Sequence, residues 1–369
     1  MRILHTEWSD ALGGQEKRIL AECSGLIERG HYAAIACREV ARIKEEAQKK
    51  SIDVITFPFK STSDVETIAG LVRHIKGNAY DIVNTHSGKD SWVGGIAAKL
   101  ARVPVLVRTR HLDIPLRRNI FNFIHYLPDI YISCGENMRN TLVAGCGFPS
   151  DKVVNISTGV SDNFFTVKRN PMLKKKFGFE EDAFVIANVG IFRRVKAHQV
   201  SLKCVRKVVE VFPNARFLFA GDGPDRAEME ELAERLGVAG YVTFSGFVDD
   251  IAEVYSFSDV VILSSLSEGI PQSILQAMAA GAPVVATRVG GIPEIVSHME
   301  TGLLVEALDH DALAEGIIRI LGNRDLASSF SQKAREFALN HHSLSIMLDK
   351  TEALYHSLLK KKKNENSSH

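Results

Sequence analysis

The sequence predicts an α/β protein of two domains, each a doubly wound parallel β-sheet with helices on both faces. Three observations carry this. Short apolar runs of strand length alternate with segments of helical spacing along nearly the whole chain. The alternation breaks at 159–171, a stretch containing Gly159, Asn163 and Pro171, and then begins again. The chain has 369 residues, 45% of them apolar and 24% charged, which is enough for two cores.

Taken in order, Arg2 to Thr6 reads as a first strand and Trp8 to Gly14 as a glycine-containing loop. Gln15 to Glu28 is helical, with Ile19, Leu20, Cys23 and Leu26 on one face, and Gly30 stops it. Tyr32 to Cys37 is the second strand. Strands follow over 52–57, 80–84, 104–108, 130–133 and 153–156, with helices over 64–75, 91–101, 114–126 and 136–144. Beyond the break, strands fall over 184–189, 216–219, 242–244, 260–263, 284–287 and 303–305, and 310–358 turns helical. These patterns place an N-terminal domain at 1–165 and a second at 166–340. A helix over 341–369 is expected to return to the first domain and to end in a disordered basic tail, Lys360 to Lys363.

Composition narrows the function. A net charge of +1 gives no global case for nucleic acid. The five cysteines are scattered without a CxxC pair, which fits a reduced, cytoplasmic protein. No signal-peptide pattern follows Met1, and no apolar run approaches the ~18 residues of a spanning helix.

The chemistry concentrates in Ser264 to Ala286. It reads as strand end, polar loop, helix start at Gly269 to Pro271, glycine stop at Gly281 and next strand. Glu268 therefore sits where a parallel strand hands over to a helix N-terminus, a place where open α/β sheets bind ligands and where free N–H groups favour an anion. Polar or glycine loops follow the other strands of this half: Gly190 to Lys196, Gly221 to Pro224, Gly246 to Asp250 and Gly290 to Glu294. Arg193, Arg194 and Lys196 with a helix start suit a diphosphate. A carboxylate beyond it suits sugar hydroxyls, from which it accepts hydrogen bonds.

In these residues the chain resembles a family 4 glycosyltransferase, within the glycosyltransferases group 1 set, with the GT-B fold. The likeness covers Gly13-Gly14 before a helix, Gly30-His31, His86, His111, Gly159-Val160, Arg193 with Lys196, and above all Glu268 to Ala286, where the family shows EGxPxxxLEAMAxGxPVVA. It implies two Rossmann-like domains facing a cleft and a retaining transfer from a nucleotide-diphospho-sugar. The acceptor would be a glycan or lipid-linked glycan, as in lipopolysaccharide or other envelope polysaccharide synthesis. The implied catalytic set is His111, Arg193, Lys196 and Glu268, with Arg193 and Lys196 stabilising charge on the leaving diphosphate. Donor contacts would come from Gly13, Gly14, Gly190, Phe247, Val248, Gly269, Ile270, Gln272, Ser273 and Gln276. His86 and Arg110 would lie on the acceptor side. No metal, cofactor or protein nucleophile is expected. Asp309-His310-Asp311, a DxD, precedes a helix and reads as an N-cap.

Two positions depart from the family pattern. Gln276 stands where the second glutamate is expected, which replaces a charged ribose contact by a neutral one. Ile191 stands where many members carry arginine, so that role moves to Arg193, with Arg194 as the alternative. The segment with Arg108, Arg110, Arg117, Arg118, Ile114, Leu116, Ile120, Phe121, Phe123 and Ile124 reads either as a helix packed on the sheet or as a surface for an anionic membrane and a lipid-linked acceptor. Two other functions compete: a nucleotide-sugar 2-epimerase of the same fold, and a catalytically silent nucleotide- or glycan-binding protein suggested by Gln276.

Overall fold

The N-terminal sheet contains β1 (Arg2–Thr6), β2 (Tyr32–Cys37), β3 (Asp53–Thr56), β4 (Ile82–Thr85), β5 (Val105–Arg110), β6 (Ile130–Ser133) and β7 (Val153–Asn155), in the order β3-β2-β1-β4-β5-β6-β7. The second contains β8 (Phe184–Val189), β9 (Ala215–Ala220), β10 (Val242–Gly246), β11 (Val260–Leu263), β12 (Val284–Thr287) and β13 (Leu303–Val305), in the order β10-β9-β8-β11-β12-β13. Every strand pair is parallel. The computed structural model describes residues 1–116 and 120–367. The fold is thus the expected pair of doubly wound sheets.

A parallel sheet covered on both faces needs apolar side chains at successive positions. In β8, Val185 and Ala187 pack into one core with Leu218, Val261 and Leu263. The intervening Ile186 packs into the other with Phe217, Phe219 and Ile262. The strand order reverses between β1 and β4 in the first unit and between β8 and β11 in the second. Helices leave those strands to opposite faces, opening a crevice at their C-terminal ends.

Several boundaries differ from the sequence reading. One unit is Met1–Gly159 with the chain from Leu344 onward, and the other is Val160–Ser343. The division thus falls at the head of the 159–171 stretch, just after Gly159, because Val160, Phe164 and Phe165 pack into the second unit's core and Val160 N–H donates to His342 O at 2.7 Å. The helix Leu344–Ser367 belongs to the first unit and runs through the four lysines expected to be disordered. Tyr355, fully buried, and Lys362, 3.1 Å from Asp129, hold it. A helix Arg42–Lys49, unread in the sequence, lies between β2 and β3. Of the helix expected over 114–126, the described part is 3₁₀ at Ile120–Tyr126, with Asn122 off helical backbone, and residues 117–119 lie outside the described residues.

Candidate active site

In the second unit, the loops leaving β8 and β11 meet at the crevice. Gly190 N–H donates to Ala220 O at 3.0 Å, and Phe192 N–H donates to Asp222 O at 3.0 Å, so the β8 and β9 loops are laced together. Gly221, at φ +155°, is required there, since a Cβ would stand 1.9 Å from Gly190 O. A short 3₁₀ turn, Arg194–Lys196, follows, and Ala197 in left-handed backbone turns the chain into the helix His198–Val211. This geometry aims Lys196 back at the β11 loop.

Lys196 Nζ lies 2.5 Å from Glu268 Oε1, although 72 residues separate them. Both are largely buried, with side-chain exposures of 18% and 10%. Ser265 Oγ donates to the same carboxylate oxygen at 2.5 Å, and Thr287 Oγ1 donates to Ser265 O at 2.7 Å. Beneath the pair, Asn188 Nδ2 donates to Ser201 Oγ, which donates to Ser264 Oγ, and that hydroxyl faces the carbonyls of Lys196 and Ala197. Leu266 N–H donates to Val195 O at 2.8 Å. The two loops are therefore one hydrogen-bonded body. Gly290, at φ +52°, closes it from the β12 side: a Cβ there would lie 1.9 Å from Glu268 O, which also accepts from Gly291 N–H.

The helix Gln272–Ala279 begins four residues after Glu268, with Pro271 at the N-cap and no side chain capping it. Its first N–H groups are thus not satisfied by a cap side chain and face a crevice that holds a cation. Gln272 and Gln276 are one turn apart and half-buried, and Gln272 Nε2 has no partner. Arg193 and Arg194 are exposed, and neither is paired to the Lys196–Glu268 couple. Gly269, Ile270 and Ser273 belong to the same loop and first helical turn. Phe247, 55% exposed, and Val248 follow β10 at the same edge of the sheet. Asp250 caps its helix through Ala252 N–H, and Asp309 caps His310–Leu321 through Ala312 N–H, so that DxD is an N-cap.

In the first unit, Gly13 is the N-cap of Gly14–Glu28, and its N–H donates to Glu16 Oε2 at 2.7 Å. His86 follows β4 and His111 follows β5, and their rings are hydrogen-bonded at 3.0 Å. Burial pushes both imidazoles well below the ordinary histidine range. Arg110, placed on the acceptor side by the resemblance, is largely buried, at 8% exposure, and its Nη2 donates to Leu112 O and Ile114 O, bracing its own loop. Arg108 is buried likewise and meets His125 Nδ1 at 2.8 Å. Neither arginine offers charge to a membrane, whereas Leu112, Ile114 and Phe123 are exposed. Arg117 and Arg118 lie outside the described residues, as do the side chains of Ile120 and Phe121. His31 pairs with Glu352 at 2.9 Å. Sequence reasoning did not find Ser265 or the carbonyl contact under Gly290. The Ser-Ser pair before the glutamate was the only available signal for the first.

A parallel-sheet crevice with a paired lysine and glutamate before a helix start suits an anionic ligand. The family comparisons give the class, a glycosyltransferase of the GT-B fold. Residues 170–337 match the model for glycosyl transferases group 1, and residues 12–164 match that for glycosyltransferase family 4. The chain belongs to this glycosyltransferase family and is a glycosyltransferase. It is 26% identical over 327 residues to N-acetyl-alpha-D-glucosaminyl L-malate synthase of Bacillus anthracis, covering 88% of this chain and 80% of that one. It is 23% identical to the UDP-Gal:alpha-D-GlcNAc-diphosphoundecaprenol alpha-1,3-galactosyltransferase of Escherichia coli, covering 96% of each. Its fold is similar to that of Anabaena Alr3699/HepE, solved in complex with UDP, with a TM-score of 0.85, 21% identity and coverage of 97% and 100%. Among the described residues, no helix is long and apolar enough to cross a membrane.

Proposed function

We propose that the enzyme transfers a sugar, with retention of anomeric configuration, from a UDP-sugar to a glycan or lipid-linked glycan of the cell envelope. The observation that carries this is the Lys196–Glu268 pair at the second unit's switch point, 2.5 Å apart and set just before an uncapped helix start. A diphosphate there takes the lysine's charge, the first N–H groups of Gln272–Ala279 and the reachable Arg193. Such fixed positive groups stabilise charge as it grows on the leaving phosphate, which is typically the largest catalytic contribution. Glu268 accepts hydrogen bonds from donor-sugar hydroxyls through its second oxygen, while Lys196 and Ser265 hold the first. Glu268 is thus a clamp, not a nucleophile, and the leaving phosphate itself takes the acceptor proton. Gln276 meets the ribose, and Phe247 with Val248 flanks the base.

UDP is the favoured nucleotide because the Anabaena structure holds it and the Escherichia coli relative uses UDP-Gal. The lipid-linked acceptor draws support from the same relative's diphosphoundecaprenol substrate and from exposed Leu112, Ile114 and Phe123, which suit peripheral contact with a cytoplasmic membrane face. The test is incubation with UDP-, GDP- and ADP-sugars, with and without glycan acceptors. The reading requires acceptor-dependent release of UDP and a product whose anomeric proton coupling matches the donor's. Inverted product, or release of GDP or ADP in preference, contradicts it.

A further inference from the structure

Four neighbouring strands of the first unit, β1, β4, β5 and β6, carry a row of side chains along their C-terminal ends: His5, His86, His111 and Cys134. His5 Nδ1 lies 2.9 Å from His86 Nε2, and His86 Nδ1 lies 3.0 Å from His111 Nε2. Cys134 Sγ is 3.6 Å from His111 Nδ1. His5 and His86 are buried, at 0% and 2% exposure. At the far end, His5 Nε2 faces Glu22 Oε1 at 3.9 Å, and this carboxylate is fully buried too. Tyr355 donates to Glu22 at 3.0 Å, and Arg18 stands 3.9 Å from its other oxygen.

A neutral imidazole donates from one nitrogen and accepts at the other, so a row of them has only two consistent directions. The ends decide which. A lone pair on His5 Nε2 would face the Glu22 carboxylate, whereas a proton there is attracted to it. With His5 protonated at Nε2, its Nδ1 must accept from His86 Nε2–H, and His86 Nδ1 must accept from His111 Nε2–H. His111 Nδ1 then accepts from the Cys134 thiol. Burial raises the Cys134 thiol above its ordinary range and lowers all three imidazoles, so thiol and rings keep the required protonation. Arg18 Nη1 donates to Cys134 Sγ at 3.2 Å, which suits a sulfur whose own proton points elsewhere.

We propose that His5 and His86 are positioning residues for His111: a one-way row of hydrogen bonds running from Cys134 to His5, whose Nε2 faces the Glu22 carboxylate, fixes the His111 ring in its Nε2–H tautomer with both nitrogens engaged. His111 is consequently held at the first unit's sheet edge as a fixed ring, not as a free proton acceptor. The effect of the row on turnover rests on the transferase reading given above. The row itself does not.

The test is nitrogen-15 NMR of the full chain labelled at histidine. The proposal requires all three rings to carry the proton on Nε2, with couplings across the hydrogen bonds from His111 Nε2 to His86 Nδ1 and from His86 Nε2 to His5 Nδ1. An Nδ1–H tautomer at any of the three overturns it. Glu22→Gln combined with Cys134→Ala removes both ends that set the direction, so His111 should become a tautomer mixture, and an unchanged His111 tautomer overturns it. In kinetics, His5→Leu should lower kcat roughly 10- to 100-fold with donor KM within about twofold. His5→Gln, whose carbonyl can still accept from His86, should recover most of the loss. Equal kcat for the two variants and wild type overturns the positioning role. Failure to find any turnover in a wild type that shows both couplings refutes the transferase reading and leaves the row standing.

Discussion

Replacing Lys196 by methionine keeps an unbranched side chain, one atom shorter, and deletes its charge. Two quantities should change together. The first is stability. The lysine makes a charge-assisted bond of 2.5 Å to Glu268, with both side chains under one-fifth exposed. Such bonds contribute about 1.5–3 kcal/mol, and Ser265 still donates to the carboxylate once the lysine is gone, so the loss should be about 2 kcal/mol. The second is turnover. A lost positive group at a developing phosphate charge costs roughly 100- to 1,000-fold in kcat, or about 2.7–4 kcal/mol. Glu268→Gln should cost a comparable factor. Because the two side chains hold each other, the double variant should fall short of the product of the single losses, with a coupling of about 1.5–3 kcal/mol. The assay is acceptor-dependent UDP release for wild type, both single variants and the double variant, with urea unfolding of each. Losses that add to within about 0.5 kcal/mol would refute the paired clamp.

Three further outcomes are expected. Gly290→Ala should destabilise the second unit and abolish turnover, because its Cβ would press 1.9 Å against Glu268 O at φ +52°; expression with wild-type melting would contradict this. Gln276→Glu should tighten UDP binding by no more than about 10-fold, since a charged acceptor is roughly twice as strong as a neutral one; weaker binding in calorimetry would show that the ribose is held elsewhere. His198 is buried against Phe192, ring centroids 4.3 Å apart, and desolvation lowers its pKa from 6.5 to about 4. The unfolded chain takes up the proton first, so this residue's contribution is complete above pH 6.5 and falls by about 3 kcal/mol as pH drops toward 4. His198→Gln should flatten that part of the stability profile, and an unchanged acid limb would argue against it.

Much of the fold was legible because its signals are local. Each strand beyond the break is an apolar run of its own, and β8 to β13 fall where the pattern puts them. The helix Arg42–Lys49 was missed because only Ile43 and Ala47 are buried in an otherwise polar segment. Four successive lysines carry no packing signal, so the end of Leu344–Ser367 could not be read without knowing that Tyr355 anchors it. At the candidate site, Glu268 and Lys196 were legible as residues and illegible as partners. Their bond joins two loops that only the adjacency of β8 and β11 brings together. The contacts of Arg110 were illegible in the same way, since nothing local announces that its Nη2 donates to Leu112 O and Ile114 O. The role of His5 has no sign in the sequence, because no spacing announces its hydrogen bond to His86, 81 residues away.

Calorimetric titration of UDP against wild type and Lys196→Met, with uridine as the control, tests the central claim most directly. The account predicts that UDP binds wild type, that uridine binds far more weakly, and that Lys196→Met loses at least about 10-fold in UDP affinity while uridine is unaffected. Equal binding of UDP and uridine, or wild-type UDP affinity in Lys196→Met, would contradict it.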